Sequence, residues 1–191
     1  MDPVERRAEK RIRPPGDAVL DFALWPAEAV PPCRLPIAAL GAPSACRRIG
    51  DRLVLIDVTA IGLGLHIHTV PEAALRLAYA PAAYIYLKLR DYRPQAPADL
   101  LCLFFHAQNV RADCRDRKID LGLRLLRQGR GSSFEKSLEL LDVSRFGTPC
   151  LAAWIDAVVR RLARPPERPG PGLDLDHLLD ESVFSIPLPD M

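Results

Sequence analysis

Hydrophobic positions along the chain recur mostly at intervals of two, and the clearest run is Leu53 to Thr69, LVLIDVTAIGLGLHIHT. Leu63, Leu65 and Ile67 alternate with Gly64, His66 and His68, which is the spacing of a half-buried strand. The run is interrupted at Asp57-Val58-Thr59-Ala60-Ile61-Gly62. Asp57 and Thr59 carry oxygens that bond nearby backbone, and Gly62 permits a positive φ or a close backbone approach. The interruption therefore predicts a tight turn or bulge that leaves polar atoms at a strand rim.

The same period predicts further strands. Ala18 to Trp25 places Leu20, Phe22 and Leu24 on one face and Val19, Asp21, Ala23 and Trp25 on the other. A hairpin from Cys46 through Ile56 with a turn at Gly50-Asp51, a strand over Ala83 to Leu89, one over Leu100 to Val110, and its partner over Ile119 to Leu126 follow. Five to seven antiparallel strands joined by short charged turns predict a small barrel, because closure removes exposed edges. Pro71 to Tyr79 tolerates a short helix, and Leu35 to Leu40 a short apolar element. Beyond a flexible break at Gly129 to Ser133 the period changes. Phe134 to Leu141 is expected to form one or two helical turns. Leu151, Trp154, Ile155, Val158, Val159 and Leu162 give an amphipathic helix that covers a barrel mouth or edge, or serves a dimer.

Prolines divide the chain more than they inform its chemistry. They gather at Pro14-Pro15, Pro26 to Pro36, Pro94 to Pro97, and from Pro165 onward. The organisation expected is an arginine-rich arm over 1–15, a barrel over 16–130 with a proline-rich insertion near 26–43, a helical extension over 131–165, and a disordered proline-rich and acidic tail over 166–191.

Composition narrows the function classes. Lys plus Arg total 26 against 24 Asp plus Glu, a net charge of +2, which argues against general nucleic-acid coating. Tyr84 and Tyr86 are the one closely spaced pair of candidate surface aromatics, too few for a base-stacking platform. The cysteines Cys33, Cys46, Cys102, Cys114 and Cys150 have no metal spacing and read as buried free thiols in a reducing compartment. No run of about 18 uncharged apolar residues is present, so no membrane span and a cytoplasmic location are expected. No nucleophile, base and orienting group fall into a catalytic pattern, so an enzyme is not expected and no cofactor or metal is called for. His66 and His68 lack a third ligand nearby in sequence, His106 sits in an apolar strand where a structural role is expected, and His177 belongs to the acidic tail.

The N-terminal arm carries Arg6, Arg7, Lys10, Arg11 and Arg13. Arginine grips phosphate as a rigid fork and stacks on planar groups. Arg6-Arg7-x-x-x-Arg11 ahead of the first strand, followed by Asp57-x-Thr59-x-x-Gly62 at a strand turn, Gly-Leu-Gly-Leu after it, and Leu121-Gly122-Leu123-Arg124-Leu125 late in the barrel, resembles the PilZ domain family over residues 5 to 130. That resemblance implies a six-stranded antiparallel split β-barrel followed by a helix, a mainly β fold that binds cyclic di-GMP without catalysis. It assigns Arg7 and Arg11, with Arg6 adjoining, to the arm that wraps the nucleotide, and Asp57, Thr59 and Gly62 to the barrel surface around a guanine edge. A downstream protein partner and a homodimer are further expectations. Three departures stand out: threonine replaces the usual serine at Thr59, the proline-rich insertion lengthens the distance between motifs, and Asp142-Val143-Ser144-Arg145-Phe146-Gly147 is a second match, read as a helix-to-helix turn. The alternative is a PilZ-like protein-interaction module that does not bind nucleotide.

Overall fold

The computed structural model describes residues 10–47, 52–68, 72–93, 99–116, 118–131 and 136–163. Its strands are β1 (Val19–Ala27), β2 (Arg34–Pro36), β3 (Ala45–Cys46), β4 (Arg52–Val58), β5 (Gly62–His68), β6 (Ala82–Arg90), β7 (Leu100–Arg115), β8 (Lys118–Arg130) and β9 (Ser137–Asp142). Two α-helices, α1 (Glu72–Tyr79) and α2 (Pro149–Ala163), and a 3-10 turn at Ile37–Leu40 complete the described elements. The chain is thus mostly β with a C-terminal helix.

An antiparallel path runs β4-β5-β8-β7-β6-β1, six strands in all. The other three are accessories that bring the sheet to nine: β3 pairs with β1, β9 takes over the edge of β8 where β5 leaves it, and β2 pairs with β9. Among the described residues the sheet does not close by strand pairing between β4 and β1. A cleft of about 220 Å³, lined by Arg13, Pro14, Phe22, Arg47 and Leu55 among others, lies at that seam. The arm occupies the free edge of β4: the Ile12 N–H donates to the Val58 carbonyl at 3.1 Å, and the Val58 N–H to the Ile12 carbonyl at 2.9 Å.

Alternation places Leu63, Leu65 and Ile67 in the core and Gly62, Gly64, His66 and His68 on the outer face. One cluster gathers these residues with Phe22, Leu24, Ile85, Leu87, Phe105, Ile119, Leu121, Leu123 and Leu125. On α2, Leu151, Trp154, Ile155 and Val158 enter the same cluster, so this helix covers the interior of the curled sheet. Trp154 is fully buried and its Nε1–H donates to the Arg90 carbonyl at 2.7 Å. Leu162, expected on the apolar face, is exposed.

Several expectations are corrected by the structure. Cys46 does not enter a hairpin with β4; it pairs with Ala23 on β1, while β4 pairs with β5. Residues 129 and 130 continue β8, and 137–142 form β9 where helical turns were expected, because Leu138 and Leu140 pack on a second apolar cluster outside the barrel. That cluster unites Leu35, Tyr84, Phe104 and Leu140 with Trp25, Leu40, Tyr86 and Leu138. Tyr84 is consequently buried, stacked on Phe104 with ring centroids 5.7 Å apart. The proline-rich insertion supplies part of its cover through β2 and a 3-10 turn at Ile37–Leu40. On β1, Leu20 is exposed and Val19 buried, since a register shift between Val19 and Asp21 breaks the alternation. Among the cysteines only Cys46 is buried; Cys33, Cys102 and Cys114 are exposed, and all five are free. The expected tail, residues 1–9 of the arm and the turn at Gly50-Asp51 lie outside the described residues. No described helix is long and apolar enough to cross a membrane.

Candidate functional site

The interruption at Asp57–Gly62 contains both a bulge and a turn. Leu55 pairs with Leu65 and Asp57 with Gly64, which leaves Ile56 as the extra residue in β4. With Leu53 and Leu55 buried, strict alternation would drive Asp57 into the core, an expensive place for a carboxylate. The bulge changes the phase, so Val58 is buried and Asp57 turns to the outer face.

Thr59 closes the hairpin. Its N–H donates to the Gly62 carbonyl at 2.9 Å, its Oγ1–H donates to the same oxygen at 3.2 Å, and its Oγ1 accepts from the Ile61 N–H at 3.3 Å. The hydroxyl is therefore engaged within the turn. Gly62 has no positive φ; its reason is space, because a Cβ there would stand 2.9 Å from the Leu123 carbonyl oxygen.

The arm meets this motif directly. Arg11 Nε lies 3.2 Å from Asp57 Oδ1, with the arginine side chain 70% exposed and the aspartate 21%. An ion pair this exposed contributes about 0.2–1 kcal/mol, too little to hold the arm. The Ile12–Val58 backbone bonds and the burial of Ile12 do that. Lys10 Nζ reaches Asp156 Oδ1 on α2 at 2.8 Å, and that hydrogen bond and its charge hold the Asp156 carboxyl below the usual range. Of the residues expected in the site, Arg11, Asp57, Thr59 and Gly62 come together around one hairpin end. Arg6 and Arg7 lie outside the described residues.

The second motif match supports the first from behind. It connects β9 to α2, not two helices. Asp142 Oδ1 accepts from the Ser144 N–H at 2.8 Å and its Oγ–H at 2.7 Å, which together lower the Asp142 pKa. Gly147 adopts φ +68°, and a Cβ there would stand 2.9 Å from the Ala60 carbonyl oxygen and 3.0 Å from Ile61 Cγ2. The Thr148 N–H donates to that same Ala60 oxygen at 3.0 Å, and the Leu125 N–H donates to the Ile61 carbonyl at 2.8 Å. The turn is thus fixed from β8 on one side and from the β9–α2 connection on the other.

Two glycines that the motif does not include widen the site. Asp57 is opposite Gly64 on β5, Gly64 opposite Gly122 on β8, and Gly122 opposite Arg111 on β7. A Cβ on Gly64 would stand 2.8 Å from Asp57 Oδ2, so the carboxylate lies over the glycine. The Gly-Leu-Gly-Leu and Leu-Gly-Leu spacings already put these glycines opposite the core positions. Nothing in the sequence ties them to Arg111, whose placement depends on a bulge.

The histidines have local partners. His66 Nδ1 is hydrogen-bonded to Asp120 Oδ1, and His66 Nε2 lies 3.3 Å from His68 Nδ1. No group of three or more potential metal ligands occurs among the described residues. His106 is fully buried; its Nε2–H donates to the Glu28 carbonyl at 2.9 Å, while its Nδ1 is buried with no hydrogen-bond partner among the described residues, so the structural role expected of it is met at one ring nitrogen. Burial lowers its pKa, with Arg127 adding to the effect and the Glu28 bond opposing it.

No family model matches the chain, and no curated protein does. A solved structure that matches is that of the Bacillus subtilis inhibitor of motility, MotI/DgrA, at 14% identity and a TM-score of 0.38. The match covers 82% of this chain and 51% of that one, so the chain spans about half the length of that protein. A likeness of this size says nothing of ligand or activity.

Proposed function

We propose that the chain is a non-catalytic receptor for cyclic di-GMP, bound between the N-terminal arm and the β4–β5 hairpin end. The observation that carries this reading is the 3.2 Å contact between Arg11 and Asp57, which joins two motifs far apart in sequence. The chemistry fits the ligand. Guanine offers N1–H and N2–H donors to a carboxylate, and a cyclic dinucleotide offers phosphates and purine faces to arginine. In the state described, Arg11 takes the place on Asp57 that a guanine would need. Binding therefore exchanges an exposed ion pair of small net value for base-edge hydrogen bonds worth about 1–3 kcal/mol, and frees the guanidinium to stack or to grip phosphate.

Titration calorimetry with cyclic di-GMP tests the reading on wild type, Arg7→Ala, Arg11→Ala and Asp57→Ala. Binding by wild type and its loss in the variants, with unchanged far-UV circular dichroism, is the expected result. Equal affinity in all four chains would remove the site. One observation favours a second reading, a protein-interaction module that binds no nucleotide: the Thr59 hydroxyl is already used within its own turn. A flat titration at high micromolar ligand, with a protein partner co-purifying, would select it.

A further inference from the structure

The row Asp57, Gly64, Gly122, Arg111 crosses four neighbouring strands on the outer face of the sheet. Its two charged ends reach that face by the same device. On β7, Asn109 pairs with Leu123 and Arg111 with Gly122, leaving Val110 as an extra, exposed residue. Leu123 and Leu125 face the core, so their partners Asn109 and Ala107 set the inward phase, and alternation from Asn109 would turn Arg111 inward. The bulge at Val110 returns it to the outside, as the bulge at Ile56 returns Asp57.

Between the two ends, neither glycine is required by the backbone, since the described glycines with positive φ are Gly41 and Gly147. Glycine inside a strand weakens the strand relative to alanine. Gly64 leaves the room that the Asp57 carboxylate fills, and Gly122 lowers the sheet surface between that carboxylate and Arg111, in a row that spans three strand spacings, about 14 Å. Arg124, adjacent on β8, is exposed, and neither it nor Arg111 makes an ion pair with a described residue. Gln108, opposite Arg124, completes that border.

Resting on the cyclic di-GMP reading above, we propose that Arg111 is a guanine-specificity residue. One base lies flat over Gly122, its N1–H and N2–H facing the Asp57 carboxylate that lies over Gly64 and its O6 and N7 facing the Arg111 fork. Arginine donating to O6 and N7 is a strong bidentate recognition of guanine, and adenine, with a donor at the 6-position, fails at both ends of the trough. Gly64 seats the acid and Gly122 leaves the base its plane, which explains why the two glycines lie on adjacent strands, and the paired bulges explain why an acid and an arginine border them.

The experiment is a titration of wild type, Arg111→Ala, Arg111→Lys and Gly122→Ala with cyclic di-GMP and with its bis-7-deazaguanine analogue, which lacks the N7 acceptor. Arg111→Ala is expected to weaken cyclic di-GMP binding by about 10- to 100-fold, and lysine, a point donor, not to restore it. Wild type should bind the analogue several-fold more weakly, and the Arg111→Ala penalty should shrink on the analogue, which a merely structural residue would not produce. At Gly122 an added Cβ meets Arg111 Cβ at 3.3 Å, a contact the fold absorbs by a small shift, so that variant should stay folded and still bind poorly. Wild-type affinity in Arg111→Ala, or an equal penalty on both ligands, overturns the role of Arg111 alone. Failure of wild type to bind cyclic di-GMP overturns the receptor reading and this inference with it.

Discussion

Replacing Gly147 with alanine is expected to disturb a turn that belongs to a different part of the chain. Two costs combine. An L-residue at φ +68° is in the left-handed region, at about 1–2 kcal/mol. The new Cβ also falls 2.9 Å from the Ala60 carbonyl oxygen and 3.0 Å from Ile61 Cγ2, so the Thr59–Gly62 turn or the connection must move by several tenths of an ångström. Such a shift weakens the Thr148 N–H bond to Ala60, worth about 1 kcal/mol. The sum is about 2–4 kcal/mol. Urea unfolding followed by tryptophan fluorescence measures it, and amide shifts of Ala60, Ile61 and Gly62 locate it. Gly41→Ala is the comparison, because Gly41 also has positive φ, +61°, but no atom within 4 Å of a Cβ. Its strain should appear as lost stability with those three amides unmoved. A Gly147→Ala cost below about 1 kcal/mol, or unshifted turn amides, would refute the buttress argument.

Two predictions concern pH. The Asp91 side chain is almost fully enclosed and is held by Arg93 through bonds of 2.5–3.1 Å, which lower its pKa against the opposing effect of burial. Its contribution is present above the unfolded pKa, about 3.9, and is lost as pH falls through the lower folded value. Arg93→Ala should therefore cost roughly 3 kcal/mol at pH 7 and less near pH 3, where the stranded carboxylate protonates; a pH-independent difference in urea midpoints would contradict this. His106 is held neutral by burial, so the unfolded chain gains a proton below about pH 6.5 that the folded chain resists, and stability drops on acidification toward the folded pKa. His106→Leu should flatten stability between pH 8 and 5, and an unchanged slope would count against the assignment.

What the sequence disclosed depended on how local each signal was. The turn at Thr59–Gly62, the β7–β8 hairpin and α2 each carry a complete pattern within one contiguous segment; the turn and α2 form near their expected bounds, while β7 runs on to Arg115 and β8 to Arg130. The position of Asp57 was legible as an interruption, because polar residues in an apolar run demand a change of phase. Arg111 was not: its neighbours read as the charged end of a hairpin, and only pairing with β8 gives it a place beside Gly122. The β9 strand is hidden in the sequence for a related reason. Ser137–Asp142 has little pattern of its own, and its conformation is determined by Arg127–Arg130 and Arg34–Pro36, remote segments that bracket it. Tyr84 reads as a surface residue in the sequence because its cover, supplied by residues 35–40, is a tertiary fact.

The three-sided position of β8 also bears on how the chain reaches its native state. This strand must find β7 through a tight turn, β9 through a short connection, and β5 across more than fifty intervening residues, as Gly62 opposite Arg124 records. Hairpins close in microseconds, but the β5–β8 and β1–β6 pairings require long loops to close before any contact rewards them. The proposed site, with Asp57 over Gly64 on one side and Gly122 on the other, lies across that late seam, so nascent chains hold both of its halves well before they hold the site.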